Sequence, residues 1–393
     1  MTRPLEGVRI LDLTRLLPGA ICTLLLADLG ADVIKIEAPG GGDYARHMPP
    51  LIDGEGAVFR ATNRGKRSVV IDLKDERGQA LLARLAVRAD VVVESYRPGV
   101  MARLNCGYEN LRAHNPRLVY ASLSGWGQTG PYAARAGHDL NYVAVSGLLG
   151  TMAMPQPFGG QAADVAGAYA AAAAIAAALL RARSTGEGAF VDLSLYEAGL
   201  LLGTVALVEA AAARAGGQRA LPFGRGALSG RQACYNVYQA ADGRAVALAA
   251  LEPKFWANFC HAVERPDLIE GYLNPERQPD LIAELRRLFA SRSSSEWAAL
   301  LIPAECCFTV VNTPDEALDD PQAKARGIVQ CADDGSLHLA SPLHLDETPA
   351  VPATSPAPRF GADTRDILTE VGLGQEEIDA LVELGVIGLG ESG

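Results

Sequence analysis

The chain contains no Cys-x-x-Cys pair, no metal-ligand spacing and no stripe of clustered lysine and arginine. Each absence removes a class of function. Without clustered Lys and Arg nothing would track a phosphate backbone, so no nucleic-acid partner is expected, and the formal charge of −11 argues the same way. A small anionic ligand held by a few local arginines stays open. The cysteines (Cys22, Cys106, Cys234, Cys260, Cys306, Cys307, Cys331) are scattered and odd in number. They fit small, mostly buried, reduced thiols of a cytoplasmic enzyme better than a disulfide framework or a metal site. Residues Met1–Leu13 lack a basic segment followed by an apolar stretch and a small-residue cleavage site. The longest charge-free apolar run, Val165 to Leu180, is shorter than the ~20 residues of a membrane span and reads as a buried helix, so no membrane partner is expected either.

What is present is a chain long enough for a large core and, by length, two domains. The first third alternates short apolar runs with helical patterns: strands over Val8–Leu13, Ala31–Glu37, Arg67–Leu73, Asp90–Glu94 and Leu118–Leu123, and helices over Gly19–Leu29 and Asp75–Ala89. That alternation predicts right-handed βαβ units around a mostly parallel sheet, an α/β class. The first strand is followed by Thr14-Arg15-Leu16-Leu17-Pro18-Gly19-Ala20, without the glycines that let a backbone approach a pyrophosphate. Glu37 then reads as a strand-end charge, and the fold as Rossmann-like without a nicotinamide cofactor. Further on come a helix over Val165–Arg183, a strand over Ala189–Leu195 and a helix over Tyr196–Ala215, then a Gly- and Arg-rich linker over Gly216–Gly230. A smaller α+β region follows: a hairpin turning at Asp242-Gly243, then helices at Pro253–Ala262, Asp280–Ala290 and Ser295–Leu301. Pro342–Pro358 reads as an extended return, and Asp363–Leu384 as a helix packing back on the first domain. The expected boundaries are 1–195 for the first part of the large domain, 196–230 for a linker helix and loop, 231–315 for the small domain and 316–393 for the return.

The chemistry concentrates at Gly137-His138-Asp139-Leu140-Asn141-Tyr142, with Asp164 after it and Glu252 in a later segment. A histidine and two carboxylates on separate elements suit an enzyme that moves a proton on and off one carbon. Each has a plainer alternative. His138 alone could be structural, Asp164 could cap its helix, and Glu252 could be a surface acid in a first turn. Arg64, Lys66, Arg67, Arg97 and Arg103 are either solvated charge or a nest for phosphates near strand ends. The Ser124–Pro131 loop either cradles a ligand or is a turn-rich crossover.

These segments, with Ala27–Glu37, Asn63–Ser68, Tyr96–Gly99, Leu251–Trp256 and Asp320–Ala323, resemble the family III CoA-transferase superfamily (CaiB/BaiF type) over nearly the whole chain, and within it the α-methylacyl-CoA racemases. The resemblance implies an open-ring chain interlocked with a second copy as a homodimer. The active site would lie between the large domain of one subunit and the small domain of the other. It also implies that His138 and Asp164 are the racemase pair and that Glu252 hydrogen-bonds the aspartate. CoA contacts would come from Val70, Ile71, Asp72, Leu73, Arg97, Arg103, Gly137, Asp139, Leu140, Asn141 and Tyr142. No permanently bound cofactor is implied, coenzyme A arriving as part of an acyl-CoA substrate. Two departures stand out: Ala38 where the racemases tend to carry arginine, and Val165-Ala166-Gly167-Ala168 where they follow the aspartate with Phe and glycines.

The expected activity is racemisation of a 2-methylacyl-CoA: one base removes the acidified α-hydrogen and the conjugate acid of the other returns a proton to the opposite face. The alternative is CoA transfer between carboxylic acids, with Asp164 attacking the acyl-CoA carbonyl to give an anhydride and then an aspartyl thioester. A third reading is a non-catalytic CoA-binding scaffold.

Overall fold

A computed structural model of the protein describes residues 3–218, 224, 226–331, 336–345, 348–349 and 355–390. Parts of the expected linker (219–223 and 225) and of the proline-rich return (346–347 and 350–354) lie outside the described residues. The chain divides into two compact units, 1–143 with 158–202 and 321–393, and 144–157 with 203–320. The segment 144–157 thus belongs with the second unit.

In chain order the large unit carries β1 (Arg9–Leu13), α1 (Leu16–Asp28), β2 (Asp32–Glu37), β3 (Arg67–Ile71), α2 (Glu76–Ala86), β4 (Val91–Glu94) and β5 (Val119–Ser124). The start of α3 (Asp139–Val145), then α4 (Ala162–Thr185), β6 (Ala189–Ser194) and α5 (Leu195–Leu202), complete its first two stretches. Six of these strands lie parallel in the order β3-β2-β1-β4-β5-β6. Apolar runs such as Val91–Val93, fully buried, are what a sheet covered on both faces requires. One face packs against α2 through Leu81, Leu82 and Leu85, and the other against α1 and α4 through Cys22, Leu26, Ala168, Ala171 and Ile175.

Helix α4 is longer than the expected Val165–Arg183 and, at 24 residues with an 18-residue stretch of mean hydropathy 1.7, is long and apolar enough by length and composition to cross a membrane. One face packs on α1 and the β5–β6 edge, small alanines allowing the close approach, but only 39% of its most apolar window is buried, so the helix is partly exposed rather than buried as expected.

Two expected helices are each two helices. The Tyr196–Ala215 pattern breaks at Gly203, whose φ of −82° and ψ of 9° leave the helix, separating α5 from α6 (Thr204–Ala215). The Asp363–Leu384 pattern breaks at Gly372 (φ +88°), giving α10 (Thr364–Glu370) and α11 (Gln375–Glu383). Both pack on the α2 face of the sheet through Ile367, Leu368 and Ile378. A short strand, β10 (Ile387–Gly388), then adds antiparallel to β3, a closure of the sheet edge that the sequence reading lacked.

The second unit holds an antiparallel sheet of β7 (Tyr235–Gln239), β8 (Ala245–Ala249) and β9 (Phe308–Val310), with Gly243 at +80° in the hairpin turn. Helices α7 (Pro253–Ala262), α8 (Gln278–Phe289) and α9 (Ser294–Leu301) cover it around an aromatic core of Trp256, Phe259, Phe289 and Trp297. Both indole N–H groups find carbonyls, Trp256 to Leu268 at 2.9 Å and Trp297 to Phe289 at 2.8 Å.

Candidate active site

A cavity of about 710 Å³ opens within the large unit, where the residues after β1 (Arg15–Pro18), after β4 (Ser95–Pro98) and at and after the end of β5 (Leu123–Trp126) converge. Carboxyl ends of parallel strands are where α/β folds bind ligands. His138 and Asp164 line this same cavity, with Gly137, Tyr142 and Gln161.

Asp164 does not cap its helix. Asp139 does so from a distance: its Oδ1 accepts the N–H of Ala163 at 2.8 Å and of Asp164 at 3.1 Å. The Asp164 carboxyl is thereby left for the cavity. Burial, and then the charge of Asp139, push its pKa up to about 7 from the usual carboxylate range. His138 sits at the start of α3, its N–H donating to Asn141 Oδ1 (3.1 Å) and its carbonyl accepting from Asn141 (2.8 Å), with the residue exposed. Asn141 therefore acts as a local clamp on the histidine. Tyr142 is buried, donates to the Gly137 carbonyl at 2.6 Å and meets Trp126 edge-on at 5.0 Å. Its ring explains two glycines: a Cβ at Gly125 would come within 2.2 Å of the Tyr142 hydroxyl, and one at Gly137 within 2.8 Å of the ring.

The turn from β1 into α1 is held from outside. Successive amides are accepted by buried or half-buried side chains: Thr14 by Asp12 (2.9 Å), Arg15 by Ser95 (3.0 Å) and Leu16 by Asp43 (3.1 Å). Leu16 adopts φ +61°, a conformation that costs a branched side chain and needs such support. Beneath it Lys35 pairs with Asp43 at 2.9 Å and donates to the Thr14 carbonyl at 3.0 Å. A dinucleotide fold would keep these amides for phosphates; here they are consumed, which agrees with the missing glycines. The pattern Gly-x-Gly-x-x-Gly does occur at Gly125–Gly130, unremarked in the sequence reading. It opens no helix, and the Gln128 amide is taken by the Asp192 carboxylate at 3.1 Å. Ser124 and Trp126 of this loop line the cavity, and their hydroxyl and indole N–H are buried with no partner among the described residues.

The other expected residues distribute as follows. Arg64 and Lys66 are neither solvated nor free for phosphate: both are buried, Arg64 on Asp28 (2.8 Å) and Lys66 on Asp12 (3.1 Å) and Asn63 (2.8 Å). Burying a cation requires such partners. Arg67 is held by Asp32 and Glu370, both at 2.7 Å. Arg97 lines the cavity, whereas Arg103 lies on the short helix Val100–Arg103 beyond it. Val70 and Ile71 belong to β3, paired with β10, and Asp72 and Leu73 follow directly, none of the four lining the cavity. Asp139, Leu140 and Asn141 start α3 beside the lining residue His138. Glu252 belongs to the second unit, where it is the exposed N-cap residue of α7 and makes no side-chain cap bond. The sequence reading missed Arg15 and Arg135 in the cavity wall; the position of Arg15, just after a strand end, was its one available signal.

The model of the family described as CoA-transferase family III matches residues 5–364. Human alpha-methylacyl-CoA racemase is 32% identical over 388 residues, covering 95% of each chain. Mouse succinyl-CoA:glutarate CoA-transferase is 33% identical over 383 residues, covering 94% of this chain and 86% of that one. Among solved structures, Rv3272 of M. tuberculosis superposes with a TM-score of 0.80 at 31% identity, over 93% of this chain and 99% of its own. A CAIB/BAIF family protein from Brucella suis gives 0.81 at 28% identity, over 94% and 100%. Both racemases and transferases are thus among the relatives of this cavity and sheet, and the chain belongs to the family III CoA-transferases.

Proposed function

We propose that this protein binds an acyl-CoA thioester in the cavity and inverts the α-carbon of a 2-methylacyl group. The observation that carries the reading is that His138 and Asp164 line one cavity, with the Asp164 pKa pushed up to about 7. Near neutral pH such a carboxyl exists in both forms, so it can take the α-hydrogen in one direction and return a proton in the other. His138 acts on the opposite face. The enolate formed between the two steps needs N–H donors at its oxygen. Glu252 of the partner subunit would complete the site by hydrogen-bonding Asp164, in an interlocked homodimer. The exposed apolar residues Leu201 and Leu202 on α5 and Val205 and Val208 on α6 support a covering partner. CoA would be held by Arg97, Arg103, the 70–73 segment and the 137–142 segment. The free thiols among the described cysteines fit a cytoplasmic setting.

A second reading has its own support. Asp164 as nucleophile needs no His138, and relatives of similar identity are named as transferases.

Incubating the protein with (2R)-2-methylacyl-CoA in D₂O, with and without a free carboxylate acceptor, separates the two. Deuterium at C2 with loss of stereochemistry, independent of acceptor, is the expected result. CoA appearing on the added acid without exchange would make Asp164 the nucleophile of a transferase.

A further inference from the structure

We infer that Arg15 is a phosphate contact for the CoA moiety, set by the β1–α1 turn; this rests on the reading of the cavity as an acyl-CoA site. The protein as a whole is acidic, at a formal −11, yet the cavity wall carries Arg15, Arg97 and Arg135 against a single carboxyl, Asp164. None of the three arginines has an ion-pair partner among the described residues, whereas Arg46, Arg64 and Arg67 are all matched to acids. An unmatched positive wall in an acidic protein is built for a polyanion.

Two of the three are held between aromatic rings: Arg135, 5.3 Å from the ring centres of Trp126 and Tyr132, and, with a hydrogen bond besides, Arg15. The Arg15 guanidinium stands 5.2 Å from the ring centres of both Tyr44 and Tyr96, and one N–H donates to the Tyr44 hydroxyl at 3.2 Å. Aromatic faces restrain a guanidinium without neutralising it, so the charge and most of its donors remain for a ligand. Three backbone amides at this point are already taken, those of Thr14, Arg15 and Leu16 being accepted by Asp12, Ser95 and Asp43. At these positions the side chain is what the turn offers an anion. The end of the neighbouring β2 contributes no cation, residue 38 being alanine. The left-handed Leu16, fixed by Asp43 and Lys35, sets the direction in which Arg15 leaves the turn.

The test is equilibrium binding of CoA, 3′-dephospho-CoA and pantetheine to the wild-type protein and to Arg15→Gln and Arg15→Lys, by calorimetry. Arg15→Gln should weaken CoA by roughly tenfold or more, the loss of a charge-assisted contact, while leaving pantetheine unchanged. Arg15→Lys should recover part of the loss. If dephospho-CoA is also weakened, the contact is to the pyrophosphate; if only CoA is, it is to the 3′-phosphate. Arg15→Gln binding CoA like the wild type, or losing CoA and pantetheine equally, overturns the inference. A wild type that binds none of the three overturns the acyl-CoA reading itself, a distinguishable result.

Discussion

Asp139 accepts the amide N–H of Asp164 and, through the same oxygen, that of Ala163. One carboxylate thus caps the helix that carries the other and also raises its pKa. Asp139→Asn keeps an acceptor oxygen but removes the charge, so the Asp164 pKa should fall. In a pH–rate profile of deuterium incorporation, the limb near pH 7 should move to lower pH. Asp139→Ala should add a stability loss of about 1 kcal/mol from the lost cap, seen in chemical denaturation. An unmoved limb in Asp139→Asn would separate Asp164 from the rate.

His138→Ala should abolish racemisation, leaving only exchange with retention on the Asp164 face, while the fold stays intact because the residue is exposed. Loss of a general base is worth about 10²–10⁴-fold, read as inversion at C2 against a circular dichroism control. Asp164→Asn should abolish racemisation and transfer alike. His138→Ala with full activity would end the racemase reading.

Glu94 is buried at the end of β4, accepting from Ser122 and from the Tyr96 amide, and burial pushes its pKa up to about 7. Unfolded, it titrates in the ordinary carboxylate range. Between about pH 4 and 7 the folded chain therefore keeps a proton that the unfolded chain has lost, and stability falls as pH rises through that window. Asp164 acts in the same sense; His338, whose pKa is lowered, opposes both. Glu94→Gln removes its own contribution, so the variant's Tm relative to the wild type should be more favourable at pH 7.5 than at pH 5. An identical difference at both pH values would count against the buried acid.

Gly125→Ala should damage both stability and activity, because its Cβ would fall 2.2 Å from the Tyr142 hydroxyl. Overpacking of this kind costs about 1–3 kcal/mol. Gly130→Ala in the same loop meets no heavy atom within 4 Å and is limited to the strain of its φ of +93°, so thermal melting of the pair separates packing from backbone strain.

The parallel sheet was legible because its strands are continuous apolar runs between helical patterns, and β1, β2 and β4 fall within a residue or so of their expected limits. Strand β10 was not: Ile387 and Gly388 show no alternation, and only pairing with β3 makes them a strand. Hydrophobic periodicity ran straight through Gly203 and Gly372, since apolar spacing does not register a backbone break. His138 and Asp164 were legible as types, but the capping of one segment by Asp139 of another is a tertiary fact, and it reverses the simplest local account of Asp164. Lys66 and Arg64 read as surface because basic residues usually are; only their buried acids reveal otherwise.

The first βα turn keeps its amide hydrogens for internal use, through Asp12, Ser95 and Asp43. A main-chain anion cradle is the same whatever residues compose it, and substitution alters it only by breaking it. A turn whose outward contribution is made by side chains behaves differently. The scaffold beneath can stay constant while single replacements at its surface retune which ligand it prefers, so divergence of specificity here requires no rebuilding of the fold.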